Sequence, residues 1–152
     1  MSAEEIRRAL AAHTTLNLAY VDDAGDPQSC AVFYAPTDEG TLVFLTSRST
    51  RHGSTFAFRR PKTKVAFTAQ ADDQSWTTIT GLQGRGVCRP AEGETLANAR
   101  ASYAARFPFV AGEGPLAAAL STADYWEVEP DWLRVIDNAQ GFGHKEEWNP
   151  VT

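Results

Sequence analysis

The chain has 152 residues, a formal net charge of −5 and a hydrophobic fraction of 43%. These values describe one soluble globular domain with a core of its own, and a net-acidic chain does not suit general nucleic-acid binding. No run approaches the ~18 apolar residues of a membrane span, and no CxxC, HExxH or histidine pair at ligand spacing offers a structural metal site.

Ser2 and Glu5 have the S-x-x-E form of a capping box, and Ile6, Ala9 and Leu10 give a helical stripe ending near His13. This opening is amphipathic and acidic, not a signal peptide, so a cytoplasmic protein is expected. Strand patterns follow at Leu16–Val21, Gln28–Tyr34 and Leu42–Thr46, separated by turn clusters at Asp22–Pro27 and Pro36–Gly40. Cys30 and Cys88 lie in strand-like runs and read as small buried hydrophobes of a reducing compartment.

The stretch from Leu42 to Phe67 reads as strand, short helix, strand. Between Ser47 and Lys64 it holds six cations (Arg48, Arg51, Arg59, Arg60, Lys62 and Lys64) and no acid, which leaves −11 on the rest of the chain. A basic island against an acidic background points to a local anionic ligand. Ser49 or Thr50 suits the helix N-cap and Pro61 stops the helix, so Arg51 and His52 fall in the first turn. Cations there oppose the helix dipole unless an oxyanion sits among them. The alternative is a solvated turn, which fits Arg59 and Arg60 at the far end of the helix. Phe56 and Phe58 read as packing residues.

Further along, Lys64–Gln70 is a strand, Ala71–Ser75 a turn, and Trp76–Arg89 a long strand interrupted by Gly81, Gly84 and Gly86. Glycines inside a strand mark bulges, bends or close backbone approach. Glu92–Phe107 is the clearest helix, with Leu96, Ala99, Tyr103 and Phe107 on its buried side. A loop and a helical turn at Leu116–Leu120 lead to an expected hairpin, Asp124–Glu129 and Trp132–Ile136 across Pro130-Asp131. Residues 138–152 show little periodicity and form a C-terminal tail after a domain spanning 1–137. The fold class expected is mainly β (α+β): six or seven antiparallel strands in a barrel with peripheral helices. Of four tryptophans, Trp148 stands alone in a polar tail and is the best candidate to wall a planar ligand.

Thr46, then Thr50, Arg51, His52 and Gly53, resembles the flavin-phosphate segment of the pyridoxamine 5′-phosphate oxidase-like split barrels. The YhbP-like branch is the most similar, through Thr50-Arg51-His52, Arg106-Phe107-Pro108, Trp126-Glu127, Asp137-Asn138, and Gly141-Phe142-Gly143 with Lys145 and Trp148. The resemblance implies a split barrel, a homodimer with the ligand cleft at its interface, and the phosphate and ribityl chain of FMN surrounded by Thr46, Thr50, Arg51 and His52. Trp126 or Trp148 would wall the substrate side, with the tail packed near the cleft. The chain departs from the oxidases in three places. Cys30–Tyr34 supplies neither the Arg nor the Lys of their second strand, Ile79 stands where they carry a glutamine, and His52 replaces a lysine. The function implied is that of a flavin-dependent oxidoreductase acting on a small planar substrate. The alternatives are a non-catalytic carrier of flavin, deazaflavin or haem, with His52 or His144 as axial ligand, and a structural dimer without a ligand.

Overall fold

The computed structural model describes residues 1–58 and 62–150, with the side chain of Phe58 excepted. Arg59, Arg60 and Pro61, expected to close the short helix, lie outside the described residues, as does the packing expected of Phe58. Among the described residues no helix is long and apolar enough to cross a membrane.

The first helix, α1 (Ala3–Ala11), starts where the sequence places it. Ser2 Oγ accepts from the Glu5 amide, and the Glu5 carboxylate accepts from the Ser2 amide, at 3.2 and 2.6 Å. Ile6 and Leu10 are its buried residues. At its end Tyr34 donates its hydroxyl to the Leu10 carbonyl at 2.6 Å, and burial pushes that phenol up to about 12.

Seven antiparallel strands follow: β1 (Thr15–Val21), β2 (Pro27–Pro36), β3 (Leu42–Thr46), β4 (Thr63–Gln70), β5 (Thr80–Pro90), β6 (Asp124–Asp137) and β7 (Lys145–Trp148). Their order is β3-β2-β1-β4-β5-β6-β7, and an added β3–β6 pairing closes the first six into a barrel. That closure runs from Leu42 opposite Val128 to Thr46 opposite Asp124. The later half of β6 leaves β3 and pairs with β7 instead, Leu133 opposite Trp148. This exchange of partners along one strand splits the barrel, as expected for the fold.

Three sequence expectations change. No hairpin forms at Pro130-Asp131: β6 runs through both residues as one strand paired with β5. The ladder slips there, with Arg85 opposite Trp132 and Gly86 opposite Pro130, so Asp131 is the extra residue of a bulge. A Cβ on Gly86 would stand 2.1 Å from the Glu129 carbonyl oxygen, so only glycine lets the two backbones meet. Second, β5 begins at Thr80 rather than Trp76. The Gln74 side chain accepts from the Thr80 amide at 2.7 Å and the Thr78 amide bonds Ser75, which ties Ser75–Thr78 into a turn and leaves Trp76 78% exposed. Third, the tail contains a seventh strand.

Two hydrophobic clusters hold the domain. One fills the barrel with Leu16, Leu18, Phe44, Phe67, Trp126 and Val128 among others. The short helix α2 (Arg51–Phe58) contributes Phe56 to it, whose ring meets those of Tyr20, Phe44 and Trp126 at 5.2, 6.3 and 6.0 Å. The other cluster lies on the outer face, where α3 (Glu94–Arg106) lays Ala99 and Tyr103 against Ala35, Val43 and Ala91. The strand pair β3–β6 is therefore covered on both faces. A 3-10 turn and α4 (Pro115–Leu120) lead back to β6. Cys30 is half-buried and Cys88 buried, both free thiols.

Candidate functional site

The turn between β3 and α2 is built by short-range hydrogen bonds. The Thr50 amide and hydroxyl both bond the Ser47 carbonyl, at 3.1 and 2.8 Å. Thr50 Oγ1 accepts from the Gly53 amide at 3.0 Å, which makes Thr50 the N-cap. The loop lies so close to the helix that a Cβ on Gly53 would meet the Ser47 carbonyl oxygen at 2.0 Å. Helix geometry leaves the first amides of α2, those of Arg51 and His52, without an intrahelical acceptor.

Beneath this turn three predicted site residues come together. Thr46 Oγ1 lies 3.0 Å from Thr50 Oγ1 and 2.7 Å from His52 Nε2. Thr46 points inward because residues 42, 44 and 46 of β3 share the barrel face. Burial holds the His52 imidazole below its ordinary range.

Arg51 is exposed at the surface beside the cluster. Its guanidinium donates to Gln28 Oε1 at 3.3 Å, and Gln28 in turn donates its amide to Asp22 at 2.9 Å. Among the described residues Arg51 makes no ion pair. Arg48 differs: it pairs with Asp124 at 2.6 Å and lies 5.8 Å over the Trp126 ring. Lys62 and Lys64 face solvent. The basic island thus reduces, among its described members, to Arg51 as the cation beside the turn.

The two tryptophans go elsewhere. Trp126 is 0% exposed, sealed in the core by its register opposite Phe44, and walls no cleft within this copy. Among the described residues its indole nitrogen has no hydrogen-bond partner. Trp148 is half-buried on β7 and lines a separate cavity of about 710 Å³. That cavity lies between α1, the 37–41 turn, the start of α3 and β6. A second cavity of about 300 Å³ borders β4 and β5, and Ile79 lines it. Neither includes Thr46, Thr50, Arg51 or His52.

Sequence reasoning missed Gln28, whose side chain holds Arg51, and the ion pairs of Arg89 with Glu127 and Glu129 at 2.8 and 2.6 Å. Glu127 is 4% exposed, and its signal was available: a carboxylate between Trp126 and Val128 in a β-rich run.

No family model matches the chain. A UPF0306 protein of Enterobacter sp. (strain 638) is 36% identical over 118 residues, covering 78% of this chain and 75% of that one. The UPF0306 protein YhbP of Escherichia coli O157:H7 (strain EC4115 / EHEC) is 36% identical over 121 residues with the same coverage. Among solved structures, a heme binding protein from Mycobacterium smegmatis superposes with a TM-score of 0.70 at 25% identity. The match covers 98% of this chain and 58% of that one, so this chain spans little more than half its length. HutZ, the heme storage protein from Vibrio cholerae, gives 0.65 at 21% over 84% and 88%. An FAD binding protein from Mycobacterium smegmatis gives 0.63 at 17% over 98% of each chain. The last two are likenesses of fold alone. With relatives above a third identical over three quarters of their length, the chain belongs to the UPF0306 family that includes YhbP.

Proposed function

We propose that this chain binds FMN, with the phosphate received by the turn that opens α2, and uses it as an oxidoreductase on a small planar substrate. The observation that carries this reading is Arg51. Its guanidinium is held by a neutral amide rather than a carboxylate, beside a helix N-terminus and above the Thr46–Thr50–His52 cluster. A phosphate there would meet the guanidinium and the leading amides of the helix, which can donate, while the Thr50 hydroxyl, given to the Ser47 carbonyl, shapes the turn around it. His52, in hydrogen-bond contact with Thr46 Oγ1, helps hold that hydroxyl in place beneath the turn.

Bound in that place, the flavin supplies the electron transfer chemistry. The protein supplies position and field. Neither of the two cavities described above borders the turn. In this reading the remainder of the flavin is walled by a second copy, so a homodimer is part of the proposal. Trp126 takes no part in that wall, since it lies inside the core. The heme- and FAD-binding neighbours support a prosthetic-group role for the same barrel.

The test is the absorption spectrum and mass of whatever copurifies, followed by titration with FMN monitored by flavin fluorescence. The reading predicts a flavin spectrum, or saturable quenching, and NAD(P)H-dependent reduction of the bound flavin. A colourless protein that leaves FMN fluorescence unchanged overturns it.

A haem carrier is the second reading. It is favoured by the heme binding and heme storage neighbours and by His144, whose Nε2 has no hydrogen-bond partner among the described residues. It predicts a Soret band on haemin titration that shifts in His144→Ala. No such band, or one indifferent to that change, sinks it.

A further inference from the structure

The cavity lined by Trp148 is a second place where this molecule is built to hold something. It opens at the other end of β3 from the α2 turn. Thr46 ends the strand at one site, while the 37–41 turn that precedes Leu42 borders the other, a separation of ~13 Å along the strand. Thr46 shares the inward face of Phe44, whereas Glu127 pairs with Val43 and shares its outward face beneath α3.

The wall of this cavity has a distinct chemistry. Glu127 lines it and is 4% exposed. One carboxylate oxygen accepts from Arg89 Nε at 2.8 Å, and among the described residues that is the one side-chain hydrogen bond Glu127 makes. Its other oxygen is left to whatever enters the cavity. Arg89 is already shared, since it also pairs with Glu129 at 2.6 Å. Glu39, held by Asn98 at 3.2 Å, adds a third carboxylate to the same wall. Trp148, Ile6 and Leu133 line the same cavity and supply its apolar surface. With Arg7, Asp38 and Glu94 also on the lining, two guanidiniums stand against five carboxylates, which leaves unmatched negative charge beside an apolar, aromatic surface. An ammonium that enters the cavity would add a charge-assisted hydrogen bond to that oxygen.

We propose that this cavity binds an organic cation: a primary ammonium on a compact apolar or aromatic body. The ammonium meets the second oxygen of Glu127 with Glu39 or Glu129, and the body packs on Trp148. The site is independent of the α2 turn and of any flavin held there.

The test uses the full-length protein and three probes in calorimetric titration: phenethylamine, its anionic counterpart 3-phenylpropionate, and methylammonium, which lacks the body. Phenethylamine is expected to bind saturably and more tightly than either of the others. Glu127→Gln should weaken it by about tenfold or more, the loss of a charged hydrogen bond. Trp148→Leu, on the terminal strand and outside the barrel closure, should also weaken phenethylamine while leaving methylammonium unchanged. Binding of FMN should be the same in both variants. If Glu127→Gln fails to fold, Glu39→Gln with Trp148→Leu carries the comparison. Absence of phenethylamine binding to the wild-type protein, equal binding of the anionic counterpart, or undiminished binding in the folded variants would each overturn the proposal.

Discussion

Replacing Gly53 with alanine tests how tightly the loop is set against α2. At an ordinary exposed helix position Gly→Ala stabilises, by about 1 kcal/mol. Gly53 should behave in the opposite sense. The new Cβ would stand 2.0 Å from the Ser47 carbonyl oxygen and 2.7 Å from Thr50 Oγ1. A carbon–oxygen contact needs roughly 3.3 Å, so the loop must retreat by about 1.3 Å. Ser47's carbonyl is the acceptor for both the amide and the hydroxyl of Thr50, and Thr50 Oγ1 caps the Gly53 amide. Retreat therefore breaks the cap, worth about 1 kcal/mol, and two further hydrogen bonds of about 1 kcal/mol each. Set against the helix-propensity gain, the net loss is about 2 kcal/mol, or a fall in Tm of roughly 4–8 °C for a domain of this size. Urea unfolding followed by circular dichroism measures it. A Gly53→Ala protein as stable as the parent, or more so, would refute the close approach and with it the geometry of the proposed phosphate turn.

Other outcomes rest on the same structure. Phe56→Ala removes the ring that meets Tyr20, Phe44 and Trp126. It should cost about 3–5 kcal/mol in urea unfolding, and a loss under about 1 kcal/mol would mean that α2 does not plug the barrel. Burial lowers the pKa of both His13 and His52, so the unfolded chain takes up protons first as pH falls. The stability this contributes is full above the ordinary histidine value of 6.5 and is lost as pH falls through the lower folded values. A urea midpoint that rises on acidification from about pH 7.5 to about pH 6 would contradict that sign. Burial also pushes both cysteine thiols up, Cys88 the further. Native protein should react slowly with a thiol reagent, and both thiols should titrate at once in denaturant; fast native labelling of Cys88 would place it at the surface.

How far the sequence reveals the fold depends on how local the determining contacts are. The capping box of α1, strand β3 and the Thr50 cap rest on residues within a few positions of each other, and each is where pattern alone places it. Pro130-Asp131 has the local chemistry of a turn, yet its conformation is decided by Gly86, its partner across the sheet in β5. Trp126 and Glu127 are another case. Alternation predicts that one of the two faces solvent, but α3 covers the outer face of β6 and buries both. Arg51 and Thr50 stand out in the sequence as a candidate because the charge anomaly and the cap are adjacent. Gln28, brought from β2 to hold Arg51, is not, because nothing in the sequence marks that pairing.

The central claim is that the start of α2 receives a phosphate. The most direct measurement compares FMN with riboflavin, which lacks the phosphate, in wild-type and Arg51→Ala protein by fluorescence titration. Wild-type protein should prefer FMN by about tenfold or more, and Arg51→Ala should shrink that preference while leaving riboflavin binding unchanged. Equal affinity for the two ligands in the wild type, or a preference that survives the loss of Arg51, would contradict it.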